Sequence, residues 1–186
     1  MGRFKEQFKI IRKTKMKTTI LKTVFTIGIL FHLLPAKAQV TQFSGTWKLK
    51  ERTSLTGLDY ANGVPTQEKV TAASNEITIE RTVPTGNADQ PESVTSETLK
   101  INNQVQNSTT PRGRIRRTTF TFDQATRTFT ISSDLAEPQK PDKVIIKLKE
   151  VWTVAPDGQT LTLLNYYESV TDPTTSWSMK GIYQKQ

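Results

Sequence analysis

The stretch FTFDQATRTFTI (120–131) and the later WTVAPDGQTLTL (152–163) lie over one another without a gap. Each reads as an alternating arm, a turn and a second alternating arm. Phe120, Phe122, Phe129 and Ile131 share one face of the first copy, and Trp152, Val154, Leu161 and Leu163 share one face of the second. Alternation of period two, rich in Thr, branched and aromatic side chains, is the pattern of a half-buried β-strand. Between the arms of the second copy, Pro156 presets φ, Asp157 accepts local backbone bonds and Gly158 tolerates positive φ. Asp123-Gln124-Ala125-Thr126 stands in the same place in the first copy. Two hairpins of one design in succession predict an antiparallel meander.

The same period recurs on both sides, and helical periodicity is absent after residue 40. Alternating runs at 43–50, 76–83, 93–101, 114–122, 127–133, 144–154, 159–168 and 175–184 predict eight strands. Eight twisted strands can close into an up-and-down barrel that removes its own edges, with a two-sheet sandwich as the alternative. Residues 52–75, containing Leu55, Leu58, Tyr60 and Val64, read as a long connection: a lid over one mouth, or a loop covering an edge. The polar residues 102–113 read as a surface loop.

The chain has 186 residues, 26 Lys/Arg against 17 Asp/Glu, one His and no Cys. Its +9 charge is unevenly placed. Residues 1–38 carry nine Lys/Arg and one acid, so the remainder holds 17 basic and 16 acidic residues. A near-neutral body has no long-range field to gather nucleic-acid phosphates. The leader has a cationic stretch to Lys22, an apolar run from Thr23 to Leu34, and Pro35-Ala36-Lys37-Ala38 with small residues placed for a cut after Ala38. This predicts a secretory signal peptide over 1–38, with Met16 as an alternative start, and a mature domain over 39–186. The apolar run is short for a membrane-spanning helix. The expected destination is the periplasm or the exterior.

The one His, His32, lies in the leader, so residues 39–186 contain neither His nor Cys. His-based nucleophilic catalysis, disulfides and His/Cys zinc sites are therefore excluded from the mature domain. No Gly-rich phosphate loop and no calcium-type acidic spacing is present, and no cofactor is expected. The basic run at 111–117 reads as a solvated strand face that discourages edge pairing.

Four charges fall on the apolar phase of their strands: Arg81, Glu97, Arg116 and Glu150. A charge taken into a core is costly unless it is paired. Three explanations stand: an internal polar cluster that orients a ligand, a structural Arg–Glu network, or strand ends and bulges that shift the register. Trp47, Phe120, Phe122, Phe129, Trp152, Tyr167, Trp177 and Tyr183 share the inward phase.

The order of motifs resembles lipocalins, with Gly45-Thr46-Trp47 in the place of their Gly-x-Trp signature. More closely it resembles the small secreted lipocalin-like proteins of Bacteroidetes type. Those have an early F-S-G-T-W-K-L segment (here Phe43–Leu49), an I-T-I-E-R strand (Ile77–Arg81) and a late E-x-W hairpin with D-G (Glu150–Thr162). The chain departs from lipocalins proper in showing neither a Thr-Asp-Tyr segment nor an Arg on the last strand. The resemblance implies an exported eight-stranded barrel that binds a small molecule without a defined reaction.

The expected function is therefore non-enzymatic binding of a small apolar or amphipathic molecule inside the barrel. Trp47, Phe120, Trp152, Tyr167 and Trp177 would line the site, with Arg81, Glu97, Arg116 and Glu150 as polar groups. A solid-cored structural or protein-interaction module of the cell envelope is the second reading, and a carboxylate-based hydrolase the third.

Overall fold

The computed structural model describes residues 40–73, 75–85 and 91–186. The leader and cleavage site expected over 1–38 lie outside these residues. Ten strands run through the described residues: β1 (Gly45–Thr56), β2 (Gln67–Ala72), β3 (Glu76–Val83), β4 (Ser93–Lys100), β5 (Gln106–Thr109), β6 (Ile115–Asp123), β7 (Thr128–Glu137), β8 (Lys140–Val154), β9 (Thr160–Ser169) and β10 (Trp177–Lys185). They form one antiparallel sheet in the order β4-β3-β2-β1-β10-β9-β8-β7-β6-β5. The sheet curls until its ends meet: Arg116 of β6 reaches Glu97 of β4, and Lys100 exchanges hydrogen bonds with Gln106 at the start of β5. The result is a nearly closed barrel with one seam, between β4 and β5.

The expected eight strands are thus corrected to ten. The two that sequence periodicity missed lack an unbroken apolar face. β5 is Gln-Asn-Ser-Thr, held to β6 by backbone pairing alone in its polar alternation. β2 places Glu68 and Val70 inward, so its alternation is broken by a charge. The connection expected over 52–75 shrinks to 57–66, because β1 continues to Thr56 through two bulges, at Leu49/Glu51 and Ser54/Thr56.

The repeated hairpins pair identically. Phe120 faces Ile131 as Trp152 faces Leu163, and Phe122 faces Phe129 as Val154 faces Leu161. Lying side by side in the sheet, they supply half of a fully buried core. Phe43, in a 3-10 turn over Thr41–Phe43, caps that core from below. Its ring lies 4.5 Å from Phe129, which stacks on Trp152 at 4.9 Å and meets Phe120 at 5.2 Å. Trp47 joins them and donates its indole N–H to the Phe43 carbonyl at 2.7 Å, so the buried indole has its polar partner.

The Gly-x-Trp segment also has a physical reason. Gly45 has φ +134°, and a Cβ there would meet Lys185 Cε at 2.6 Å. The Lys185 side chain lies across this gap and brings its ammonium to 5.1 Å from the Trp47 ring centroid, a cation–π contact. The last strand thus places a cation over the tryptophan.

The strand ends opposite Phe43 form the second mouth. Here residues 57–66 fold inward. Val64 is fully buried, Asn165 donates to the Gly63 carbonyl at 2.8 Å and the Tyr183 hydroxyl donates to the Pro65 carbonyl at 2.9 Å. Gly63 packs so closely on Met179 that no side chain fits between them. Arg52 fastens the outer side of the same segment through the Ala61 carbonyl and Asp59. The connection sits in the mouth as a lid does, and leaves the sheet edges alone.

Candidate functional site

Between the two mouths lies a layer of charge. Arg81 is its centre, and each of its three nitrogens faces a different carboxylate. Nη2 is 2.8 Å from Glu150 Oε2, Nη1 is 3.4 Å from Glu97 Oε2 and Nε is 3.7 Å from Glu68 Oε1. Arg116 extends the layer: its Nη1 lies 2.9 Å from Glu97 Oε1 and its Nε donates to Ser133 Oγ at 3.0 Å. Ser133 in turn bonds Thr118 at 2.9 Å. Trp152 donates its indole N–H to Glu150 Oε2 at 3.0 Å, joining the layer to the aromatic core beneath.

All four charges singled out from the strand phase therefore converge on one network, together with Glu68. Sequence reasoning missed Glu68 because β2 was read as loop. The available signal was its pairing opposite Trp47 and Arg81, which only the register of β2 reveals.

Burial dominates the electrostatics. The Glu68 carboxyl is raised well above the ordinary carboxylate range, first by burial and further by Glu150, with Arg81 opposing. Neither of its oxygens has a hydrogen-bond partner. Burial alone would weaken the Arg81 charge, but Glu150, Glu68 and Glu97 outweigh it and push its pKa up. Tyr183 is also pushed up, by burial first and then by Glu68 and Glu150, so its hydroxyl stays a neutral donor to Pro65.

The layer divides two kinds of interior. Below it, inward side chains such as Phe43, Trp47, Ile77, Phe120, Phe129 and Trp152 are completely buried. Above it burial is mixed: Val64 and Met179 are completely buried and Leu135 and Ile146 nearly so, while other inward side chains keep part of their surface. Leu148 and Tyr167 are only partly buried, against the separate small cluster of Leu135, Ile145 and Ile146. Trp177 is partly buried too; it stacks on Tyr167 at 5.6 Å and meets Tyr60 of the lid at 5.8 Å. The side chains of Arg81, Glu97, Glu150 and Arg116 retain 13–22% exposure, so the charge layer is not sealed from solvent. The barrel is solid at one end and less evenly filled at the other, where the partly exposed region around Leu148, Tyr167 and Trp177 is termed the cup.

Of the residues expected to line a site, Arg81, Glu97, Arg116, Glu150, Tyr167 and Trp177 stand in or around this cup. Trp47, Phe120 and Trp152 belong to the solid half. A second way in runs along the seam. There, a polar cleft of about 360 Å³ is lined by Glu97 and Leu99 of β4, Gln106 and Ser108 of β5, and Arg116 and Thr118 of β6. It opens directly onto the Glu97–Arg116 pair. Among the described residues, no helix is long and apolar enough to cross a membrane.

No family model matches the chain, and no curated protein matches it. Among solved structures it is similar to As-p18, an extracellular fatty acid binding protein. The identity is 12%, the match covers 78% of this chain and 97% of that one, and the TM-score is 0.44.

Proposed function

We propose that this domain is an exported, lipocalin-like binding protein that holds one small amphipathic molecule, unreacted, in the cup. The observation that carries this reading is the change in burial along the barrel. The inward aromatic core on one side of the charge layer is almost completely enclosed, whereas on the other side Leu148, Tyr167 and Trp177 stay partly open beside the buried Val64 and Met179. A barrel built only for rigidity would be filled on both sides, since interiors pack to crystal-like density. Apolar walls with a few converging polar groups are the usual make-up of a small-molecule site. Leu148, Tyr167 and Trp177 supply the walls. Glu97, Glu150 and the two arginines supply the floor.

The chemistry of the floor suits holding better than transforming. Three carboxylates converge on one guanidinium, and the mature domain has no His or Cys to move protons near neutral pH. The test is titration with a neutral solvatochromic dye such as Nile red. One equivalent should bind with a blue shift, and Leu148→Arg, which places a charge on the apolar wall, should abolish the shift while leaving the fold intact by circular dichroism. An absent shift, or one indifferent to Leu148→Arg, would sink the reading.

A further inference from the structure

The charge layer is unbalanced in a way that bears on the head group of whatever the cup holds. It contains three carboxylates, Glu68, Glu97 and Glu150, and two guanidiniums. Every nitrogen of both arginines already faces an oxygen. Arg81 meets all three glutamates, and Arg116 meets Glu97 twice and Ser133 once. The carboxylates are the under-satisfied partners. Glu150 receives both of its donors, from Arg81 and Trp152, on Oε2. Glu68 is fully buried and receives no hydrogen bond on either oxygen. An ionised carboxylate offers about four acceptor sites and no donor, so the layer has acceptors to spare.

We infer that the polar group of the bound molecule is a hydrogen-bond donor, a protonated amine first and a hydroxyl second, and that a carboxylate is excluded. This rests on the reading of the cup as a binding site and specifies its ligand class. A donor seated on the floor meets Glu150 Oε1, an acceptor that neither Arg81 nor Trp152 engages. A carboxylate would be a further anion beside Glu97 and Glu150, competing with them for the two guanidiniums. Juxtaposed like charges suppress the wrong partner, and specificity of this kind comes as much from the repelled ligand as from the accepted one.

The experiment uses the full chain and three probes with one tail: dodecylammonium, dodecanol and dodecanoate, each below its micellar concentration, followed by isothermal titration calorimetry. Dodecanoate should bind weakest, by about tenfold or more relative to dodecylammonium. Glu150→Gln should reduce that gap to about threefold or less. Any ranking in which dodecanoate equals or exceeds the amine overturns the inference while leaving the cup as a binding site. If none of the three binds, the cup reading falls and this inference with it. Should Glu150→Gln fail to fold, the wild-type ranking of the three probes decides alone.

Discussion

Arg81 Nη2 stands 2.8 Å from Glu150 Oε2, a contact that ties β3 to β8 across the inside of the barrel. The two strands are not neighbours in the sheet, so this ion pair braces the barrel where no backbone ladder can. Removing one partner of a buried pair leaves the other charge uncompensated, which costs about 3–5 kcal/mol. Arg81→Met leaves three carboxylates facing one another and should lose at least that much, measured by urea unfolding. A loss below about 1 kcal/mol, the value of an exposed pair, would show that the layer is solvated.

Glu68 makes stability depend on pH in the reverse of the usual carboxylate sense. Its folded pKa is raised, so the folded state binds the proton more tightly than the unfolded chain does. The resulting stabilisation is complete below the ordinary glutamate value and is lost as pH rises through the raised value. Glu68→Gln, which mimics the protonated form, should therefore unfold at higher urea than wild type at about pH 8, by about 1–3 kcal/mol, the cost of an unsatisfied buried polar group. At about pH 5 the gain should shrink. A variant less stable than wild type at both values would contradict this account.

Gly45 combines a positive φ with the Lys185 side chain pressed over the space where a Cβ would be. Gly45→Ala should destabilise by about 1–3 kcal/mol, the usual cost of a strained backbone position. It should also weaken the cation–π contact, visible as altered Trp47 fluorescence. Thermal unfolding at wild-type temperature would mean that β1 relaxes freely at its start.

The two halves of the barrel should separate stability from binding. Phe129→Ala opens a cavity among Phe43, Phe120 and Trp152 and should cost about 3–5 kcal/mol. Tyr167→Ala removes a partly exposed wall of the cup, so its cost should be smaller and its effect on Nile red binding larger. Calorimetric melts and dye titrations on the two variants give this comparison. Equal effects on both readouts would erase the distinction between core and cup.

The strands with an apolar face were legible in the sequence, down to the paired hairpins of 120–131 and 152–163, because burial on one side imposes period two. Arg81, Glu97, Arg116 and Glu150 were legible as inward charges for the same reason. Their meeting was not, since it depends on how far the sheet curls, and no local pattern records that. β2 and β5 escaped because their partners, and not their own side chains, decide that they are strands. The division into solid half and cup escaped as well: Trp152 and Tyr167 share one phase, and only the depth along the barrel separates them.

Among the described residues, the seam between β4 and β5 is the one line around the barrel without a backbone ladder. At any other junction, widening the circumference would break a row of backbone hydrogen bonds. At the seam it breaks the Lys100–Gln106 pair and stretches Glu97 from Arg116, all of them side-chain contacts that water can replace. Any outward strain on the barrel therefore falls on this one line, while the rest of its sheet stays as it is.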